Sequence, residues 1–92
     1  MLEKDIVMSI MRYLRALPHC FCFKTHGGMY SAAGIPDILC CHNGIFYAFE
    51  VKTPAGRVTP LQESTIQKIR AAGGNAYVVR SVAEVRDILK ES

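Results

Sequence analysis

The dipeptide Asn43-Gly44 constrains the fold of this chain more than any other feature of its sequence. It separates two apolar runs, residues 35–42 and 45–51, and both of its residues tolerate the positive φ angles of a type I′ turn. Because an Asn-Gly pair in that setting is typical of a two-residue β-hairpin, we predict two antiparallel strands joined there.

The hairpin also determines which side chains lie side by side. With this turn His42 pairs with Ile45, and counting along the ladder places Asp37 opposite Glu50. Side chains alternate between the two faces of a strand, so Lys52 points to the same face as Glu50.

Asp37 and Glu50 would repel each other in this register, because directly opposed residues have Cβ atoms roughly 5 Å apart. A hard divalent cation such as magnesium, shared by the two carboxylates, would remove that repulsion. The Lys52 ammonium would then be placed to hold or deprotonate a water molecule, or to stabilise charge on a phosphate.

A simpler interpretation fits the same three residues. Asp37 and Glu50 could be solvated at ordinary strand ends, with Lys52 as their salt-bridge partner, since most charged residues are exposed. The apolar residues 46–49 and Val51 argue against this, because they predict an interior strand in which a charge needs a partner. From the residues alone both interpretations remain open.

The composition predicts a single globular domain, residues 1–92, that is 50% hydrophobic and 21% charged. A core of this size is near the lower limit for one domain, so we expect an oligomer, with the Met-rich first helix (Met8, Met11) as a candidate interface. The net charge of +3 favours a polyanionic partner only mildly. Charged residues at positions 3–5 interrupt the N-terminal apolar stretch, and no apolar run is long enough to span a membrane, so we expect a cytoplasmic protein.

The four cysteines predict buried, reduced thiols. Cys20 and Cys22 form a Cys-x-Cys pair and Cys40 and Cys41 are adjacent, so neither pair has the C-x₂-C spacing of a zinc knuckle. His42 follows Cys41 but points to the opposite face of the strand. A thiol or zinc module therefore remains a minor alternative.

The first segment has helical periodicity and ends at Pro18. Glu3 lies at the edge of its buried stripe, where it can favour the positive end of the helix dipole. The apolar positions are Leu2, Ile6, Ile10, Leu14 and Leu17.

A first strand is predicted over residues 20–25, followed by a loop of small residues over 26–34. A loop beside a metal site could hold a phosphate backbone, and Lys24, His26 and Tyr30 are the side chains available for this. For His26 and Tyr30, plain loop surface is the slightly favoured interpretation.

A second helix begins with three signals after a turn at residues 54–57. Thr59 is a predicted N-cap, Pro60 suits the first helical position, and Gln62 completes a capping box. Gln62 also shares a face with Ile66 and Ile69 that points toward the sheet, so it has two possible roles.

Gly73-Gly74 should end this helix in a left-handed conformation. A short strand follows over residues 75–80, and Ser81 caps a last helix. Arg80, at the strand end, could meet a phosphate or pair with an acid, and pairing is the commoner outcome for a surface arginine. The apolar stripe of the last helix is Val82, Val85, Ile88 and Leu89.

Pro36-Asp37, followed thirteen residues later by Glu50-Val51-Lys52, resembles the PD-(D/E)XK nuclease motif. The ordered set of motifs, which spans most of the chain, is similar to the small stand-alone VRR-NUC proteins, many from bacteriophages. The further segments in that set are Gly34, residues 56–62 with Arg57, and residues 77–80 ending in Arg80.

This resemblance implies a restriction-endonuclease-like α/β fold in the order αβββαβα, with a mixed sheet flanked by helices. It implies a Mg²⁺- or Mn²⁺-dependent DNA endonuclease, selective for branched DNA such as four-way (Holliday) junctions, acting as a homodimer in a bacterial or phage-infected cell. The implied metal ligands are Glu3, Asp37, Glu50 and the carbonyl of Val51, with one or two ions bound.

Lys52 would orient the attacking water or stabilise developing charge, and Gln62 would steady the site from its helix. The implied DNA contacts are Lys24, His26, Tyr30, Arg57 and Arg80. The alternative function is a non-cleaving nucleic-acid-binding or assembly module of the same fold. The presence of Asp37, Glu50 and Lys52 together argues against it.

Overall fold

The computed structural model describes residues 1–25 and 33–90, and its elements confirm the predicted α/β class and the order αβββαβα. Most of the predicted loop over 26–34 falls outside the described residues. Within them, no helix is long and apolar enough to cross a bilayer. The elements are α1 (Glu3–Arg15), β1 (Cys20–Lys24), β2 (Ile38–His42), β3 (Ile45–Val51), α2 (Pro60–Ala71), β4 (Asn75–Val79) and α3 (Val82–Lys90).

The β2-β3 hairpin has the predicted turn and register. Asn43 and Gly44 have φ angles of 51° and 82°, as a type I′ turn requires. The ladder runs from His42 paired with Ile45 down to Ile38 paired with Phe49. Asp37 and Glu50 occupy the next position, one step beyond the end of β2.

The four strands form one mixed sheet in the order β1-β2-β3-β4, in which only the β3-β4 pair is parallel. Tyr47, Phe49 and Val51 of β3 face a core with α1 and α3. Ala48, between them, faces a smaller core with α2. Since side chains alternate, Glu50 points to the α2 face of the sheet.

The first helix has the predicted amphipathic pattern. Ile6, Ile10 and Leu14 are buried against the sheet, and the Asp5 carboxylate accepts a 3.2 Å hydrogen bond from the N–H of Leu2, which caps the helix start. Met11 is 3% exposed and therefore belongs to the core, while Met8 is 56% exposed. Only Met8 of the two predicted interface methionines is at the surface.

The second helix begins with the predicted capping box. The Thr59 N–H donates to Gln62 Oε1 at 2.9 Å, and the Gln62 N–H donates to Thr59 Oγ1 at 3.2 Å. The helix ends before Gly73, whose φ of 92° is the predicted left-handed conformation. At the last helix, Ser81 Oγ accepts from the Glu84 N–H at 3.2 Å, so Ser81 caps α3 as predicted.

Helix α2 covers only part of its face of the sheet, the β3-β4 side. On the remainder, Phe21 lies beside Cys41, which lies beside Phe46, because these residues are direct partners across three strands. Phe21 is 69% exposed and Phe46 66%, and the Phe21 and Phe23 rings are 6.0 Å apart. We call Phe21, Phe23 and Phe46 the phenylalanine patch.

The segment that leads into Asp37 packs closely on the first turn of α2. Gly34 has a φ of 84°, and a Cβ atom there would lie 2.6 Å from Leu61 Cγ. Any larger residue at position 34 would both strain the backbone and displace Leu61. Gly34 therefore fixes the approach of the Pro36-Asp37 segment to α2.

We expect Gly34→Ala to lower the free energy of unfolding by about 2–4 kcal/mol, because a positive φ and an overlap are both penalised. Gly44→Ala is the matched control, since Gly44 also has a positive φ but nothing lies within 4 Å of its would-be Cβ. Urea denaturation of both variants measures the difference. Equal losses in the two would contradict the close packing at Gly34.

Candidate metal centre

Three acidic side chains converge at one end of the sheet. Glu3, Asp37 and Glu50 each offer a carboxylate oxygen, and these atoms all lie within 4.8 Å of one another. They come from the first turn of α1, the residue before β2 and the end of β3. In the part of the chain that the structure describes, no other three His, Cys, Asp or Glu residues form such a group.

Asp37 is held by main-chain hydrogen bonds on both sides. Its Oδ2 accepts from the Val51 N–H at 2.7 Å, which ties the carboxylate to β3. Its carbonyl accepts from the Thr25 N–H at 2.9 Å, and the Thr25 hydroxyl donates to the carbonyl of Pro36. These bonds fix the Asp37 carboxylate in front of Glu50.

Glu50 is the most deeply buried acid of the site, with 1% of its surface exposed. The pKa of its carboxyl is raised to about 8, chiefly because burial deprives the charged form of its hydration. The hydrogen bond with Asp37 and the charges of Asp37 and Glu3 contribute to this rise, while the Lys52 ammonium opposes it. Ionisation of Glu50 therefore places negative charge where water compensates it poorly.

Lys52 is the basic side chain beside these acids, and the residue is 8% exposed. Its Nζ lies 3.9 Å from Glu50 Oε2, which is an ion pair but longer than a hydrogen bond. The Lys52 N–H continues the parallel ladder by donating to the Val79 carbonyl at 3.0 Å. The backbone thus fixes the lysine while its ammonium keeps hydrogen bonds to offer.

Gln62 performs both of the roles that the sequence left open. Its amide oxygen accepts the capping bond from Thr59, while its Nε2 donates to Glu50 Oε2 at 3.4 Å. The start of α2 is thereby joined to the acidic site by one side chain.

The donors present fit a hard divalent cation. Carboxylate oxygens are the ligands that Mg²⁺, Mn²⁺ and Ca²⁺ prefer, and three carboxylates here face one ammonium. A buried excess of negative charge is stabilised by a cation of charge two. Glu3, Asp37 and Glu50 could hold the cation. At Val51 the structure shows the N–H donating to Asp37, and the role of the Val51 carbonyl as a metal ligand stays a prediction.

The predicted DNA contacts Lys24 and Arg57 lie in different parts of the structure. Lys24 is exposed at the end of β1 and lines a cavity that Glu3 also lines. Arg57 is exposed on the loop between β3 and α2, with no described contact to the acidic residues. His26 and Tyr30 lie outside the described residues.

Within residues 1–25 and 33–90, the Arg80 guanidinium makes no ion pair with an acid and contacts main-chain oxygens instead. Its Nη1 donates to the carbonyl oxygens of Thr53 at 2.6 Å, Gly56 at 2.8 Å and Pro54 at 3.4 Å. The turn after β3 brings these carbonyls together beside the end of β4. Arg80 is the first residue after β4 and therefore lies next to them. In this structure Arg80 therefore holds the loop that connects the site strand to α2.

Three basic residues of α1 were not among the predicted contacts. Lys4 lines the same cavity as Glu3 and Lys24, and Arg12 and Arg15 line a second cavity that also includes Lys24. The sequence signal that could have revealed them is their helical spacing on α1.

The cysteines are free thiols, and three of them face the α1 side of the sheet. The Cys20 and Cys40 sulfurs are 3.6 Å apart, and burial raises the pKa of the Cys40 thiol above its usual range. A thiol that resists deprotonation is a poor metal ligand.

The raised pKa of Glu50 makes a prediction for the metal-free protein. The pKa of Glu50 is 4.5 in the unfolded chain and about 8 in the folded protein, so folding takes up a proton between these two pH values. The contribution of Glu50 to stability is therefore fully present below pH 4.5 and is lost as the pH rises through 8. We expect Glu50→Gln to remove this loss and to raise the free energy of unfolding at pH 8.5 by about 1–3 kcal/mol.

Denaturation of both proteins in EDTA at pH 5.5, 7 and 8.5 measures the effect. Asp87→Asn, at an exposed acid of α3, is the control and should follow the wild type. A wild-type protein that gains stability relative to Glu50→Gln as pH rises would contradict the assignment.

Comparisons with known proteins agree with the fold and the motif. A solved structure described as a VRR_NUC domain superposes with a TM-score of 0.78 at 24% identity, covering 96% of this chain and 94% of the other. A second, described as a VRR_NUC domain protein, gives 0.77 at 17% identity, with 99% and 87% covered. Proteins of curated function give no match. The VRR-NUC domain profile matches residues 12–83, so the chain belongs to the VRR-NUC family, whose fold is of the nuclease type.

Proposed function

We propose that this protein is a Mg²⁺- or Mn²⁺-dependent nuclease that hydrolyses DNA phosphodiester bonds. The observation that carries the proposal is the convergence of Glu3, Asp37 and Glu50, with Glu50 buried and Lys52 beside it. Membership of the VRR-NUC family supports the same activity.

Each residue of the site has a part in this proposal. Glu3, Asp37 and Glu50 would hold the cation, with the Val51 carbonyl as a further ligand. The cation, when bound, would polarise the scissile phosphate and lower the pKa of a bound water. Lys52 would orient the attacking water or donate hydrogen bonds to the negative charge that develops on the phosphate.

Gln62 would act as a positioning residue. Its Nε2 contacts Glu50 while its Oε1 is fixed by the helix cap, so rotation of the amide would break two interactions. This arrangement restricts the Glu50 carboxylate to one orientation. A fixed ligand keeps the site preorganised for the reaction.

The finer part of the proposal is a homodimer that selects branched DNA such as four-way junctions, in the cytoplasm of a bacterium or a phage-infected cell. Two sites related by a two-fold axis suit a junction, because they can cut two symmetry-related strands. The phenylalanine patch supports a dimer, since exposed aromatic residues on a sheet face that α2 leaves uncovered are a surface typical of interfaces.

We expect Asp37→Asn to lower cleavage by at least about 100-fold while binding to the same DNA changes little, because the change removes a ligand charge and keeps the shape. The assay uses magnesium or manganese with a labelled four-way junction, linear duplex and single strand. Asp87→Asn is the matched control on an exposed helix surface and should cleave as the wild type does.

Cleavage retained in Asp37→Asn would overturn the metal-site assignment. If the folded wild-type protein binds the junction and cleaves none of the three substrates, the non-cleaving binding module becomes the better account.

For the dimer, we expect the double variant Phe21→Ser, Phe46→Ser to sediment as a monomer at concentrations where the wild type is a dimer. Met8→Gln is the control, because Met8 is exposed to a similar degree on α1. A monomer produced by Met8→Gln alone would move the interface to α1, and a monomeric wild type would contradict the dimer.

A further inference from the structure

Three basic residues of α1 lie on one side of the helix. Lys4, Arg12 and Arg15 are separated by eight and three positions, and Met8 stands between Lys4 and Arg12 at i+4. Residues at i, i+4, i+8 and i+11 fall on the same helical stripe. The buried residues of α1 fall on a neighbouring stripe, and all four residues of this row are exposed, so the row lies on the solvent side beside the buried face.

The row borders a groove between α1 and the end of β1. One cavity of about 350 Å³ is lined by Met8, Met11, Arg12, Arg15 and Lys24. An adjoining one of about 270 Å³ is lined by Glu3, Lys4, Val7, Met8 and Lys24. Met8 and Lys24 line both cavities, so the two lie side by side along α1, and Glu3 lines the second. We call this the α1 groove.

The described residues that line the α1 groove include four basic side chains and one acidic side chain, Glu3. Lys4, Arg12, Arg15 and Lys24 are four of the 11 Lys and Arg residues of the chain. All four are exposed, and within residues 1–25 and 33–90 none has an acidic side chain within ion-pair distance. Such a cluster raises the local concentration of polyanions far more than the net charge of +3 would.

We propose that the α1 groove is the track along which one DNA strand reaches the acidic site, with Arg12 and Arg15 as phosphate contacts distant from the bond that is cut. This inference deepens the proposed function and rests on it. From Glu3 to Arg15 the helix rises about 18 Å, the length of about five nucleotides of one strand.

The chemistry of the groove fits a sugar-phosphate strand better than an acidic protein segment. Arginine binds phosphate and carboxylate alike through two parallel hydrogen bonds, but Met8 with the floor at Met11 also offers apolar surface to sugars and bases. The groove also borders a site whose ligands would hold a cation, and a phosphate can share that cation. Contacts of this kind position the strand without reading its sequence.

The test compares two double variants with the same change of charge. Arg12→Gln, Arg15→Gln alters the groove, and Lys68→Gln, Arg86→Gln alters exposed residues of α2 and α3. Binding of a labelled single strand and a four-way junction is measured by anisotropy in EDTA, over a range of salt concentrations. Circular dichroism checks the fold of each protein.

We expect the groove variant to bind DNA at least about 10-fold more weakly than the wild type at moderate salt. The slope of log K against the logarithm of the salt concentration should be smaller in magnitude by about 1.4–1.8, as the loss of two phosphate contacts predicts. The control should stay within about two-fold of wild type. Arg12→Lys, Arg15→Lys should restore the slope. In cleavage assays the groove variant should raise KM and leave kcat within about three-fold.

Equal binding by the groove and control variants would overturn the inference, even if the wild type cleaves DNA. If the wild type binds with the expected groove dependence but cleaves no substrate, the strand track stands and the nuclease proposal fails. The inference would also be overturned if the salt dependence of binding stayed reduced in Arg12→Lys, Arg15→Lys. Contacts with a phosphate backbone require only a positive charge at each of these positions.

Discussion

The burial of the Glu50 carboxylate beside two other carboxylates is the constraint on which the rest of the structure depends. In the metal-free fold, ionisation of Glu50, which is 1% exposed and faces Asp37 and Glu3, costs stability, and the pKa of its carboxyl is therefore raised to about 8. Lys52 relieves this only in part, because its ammonium is 3.9 Å away. The fold tolerates the arrangement because main-chain bonds and a packed core on either face of the sheet hold it in place.

Each element contributes one fixed part of this arrangement. The hairpin supplies Glu50 and Lys52 on the same strand, the β1-β2 ladder holds Asp37 through its carbonyl, and α1 brings Glu3 over the edge of the sheet. Helix α2 closes the opposite side through Gln62. A site built in this way is stable only as a whole, and a cation bound to it would join the three acidic elements and stabilise the folded protein.

Local signals in the sequence predicted the parts that depend on local geometry. Asn43-Gly44 predicted the hairpin register, and Thr59 predicted the helix start, because turns and caps are decided by a few neighbouring residues. The convergence of Glu3 came only from the family resemblance, since it depends on how α1 packs across the sheet. The carbonyl contacts of Arg80 were not predicted, because its partners are assembled by a loop 24 or more positions earlier in the chain. The phenylalanine patch is exposed because α2 covers another part of the sheet, and the residue pattern of the strands does not indicate where α2 packs.

Calorimetric titration of the metal-free protein with Mn²⁺ tests the central claim most directly, because it asks only whether the three carboxylates form a cation site. The wild type should bind Mn²⁺, and Glu50→Gln should bind it at least about 10-fold more weakly while remaining folded. Glu63→Gln, an exposed acid on α2, serves as the control and should match the wild type. Binding of equal strength in the wild type and Glu50→Gln, or no binding by either, would contradict the account.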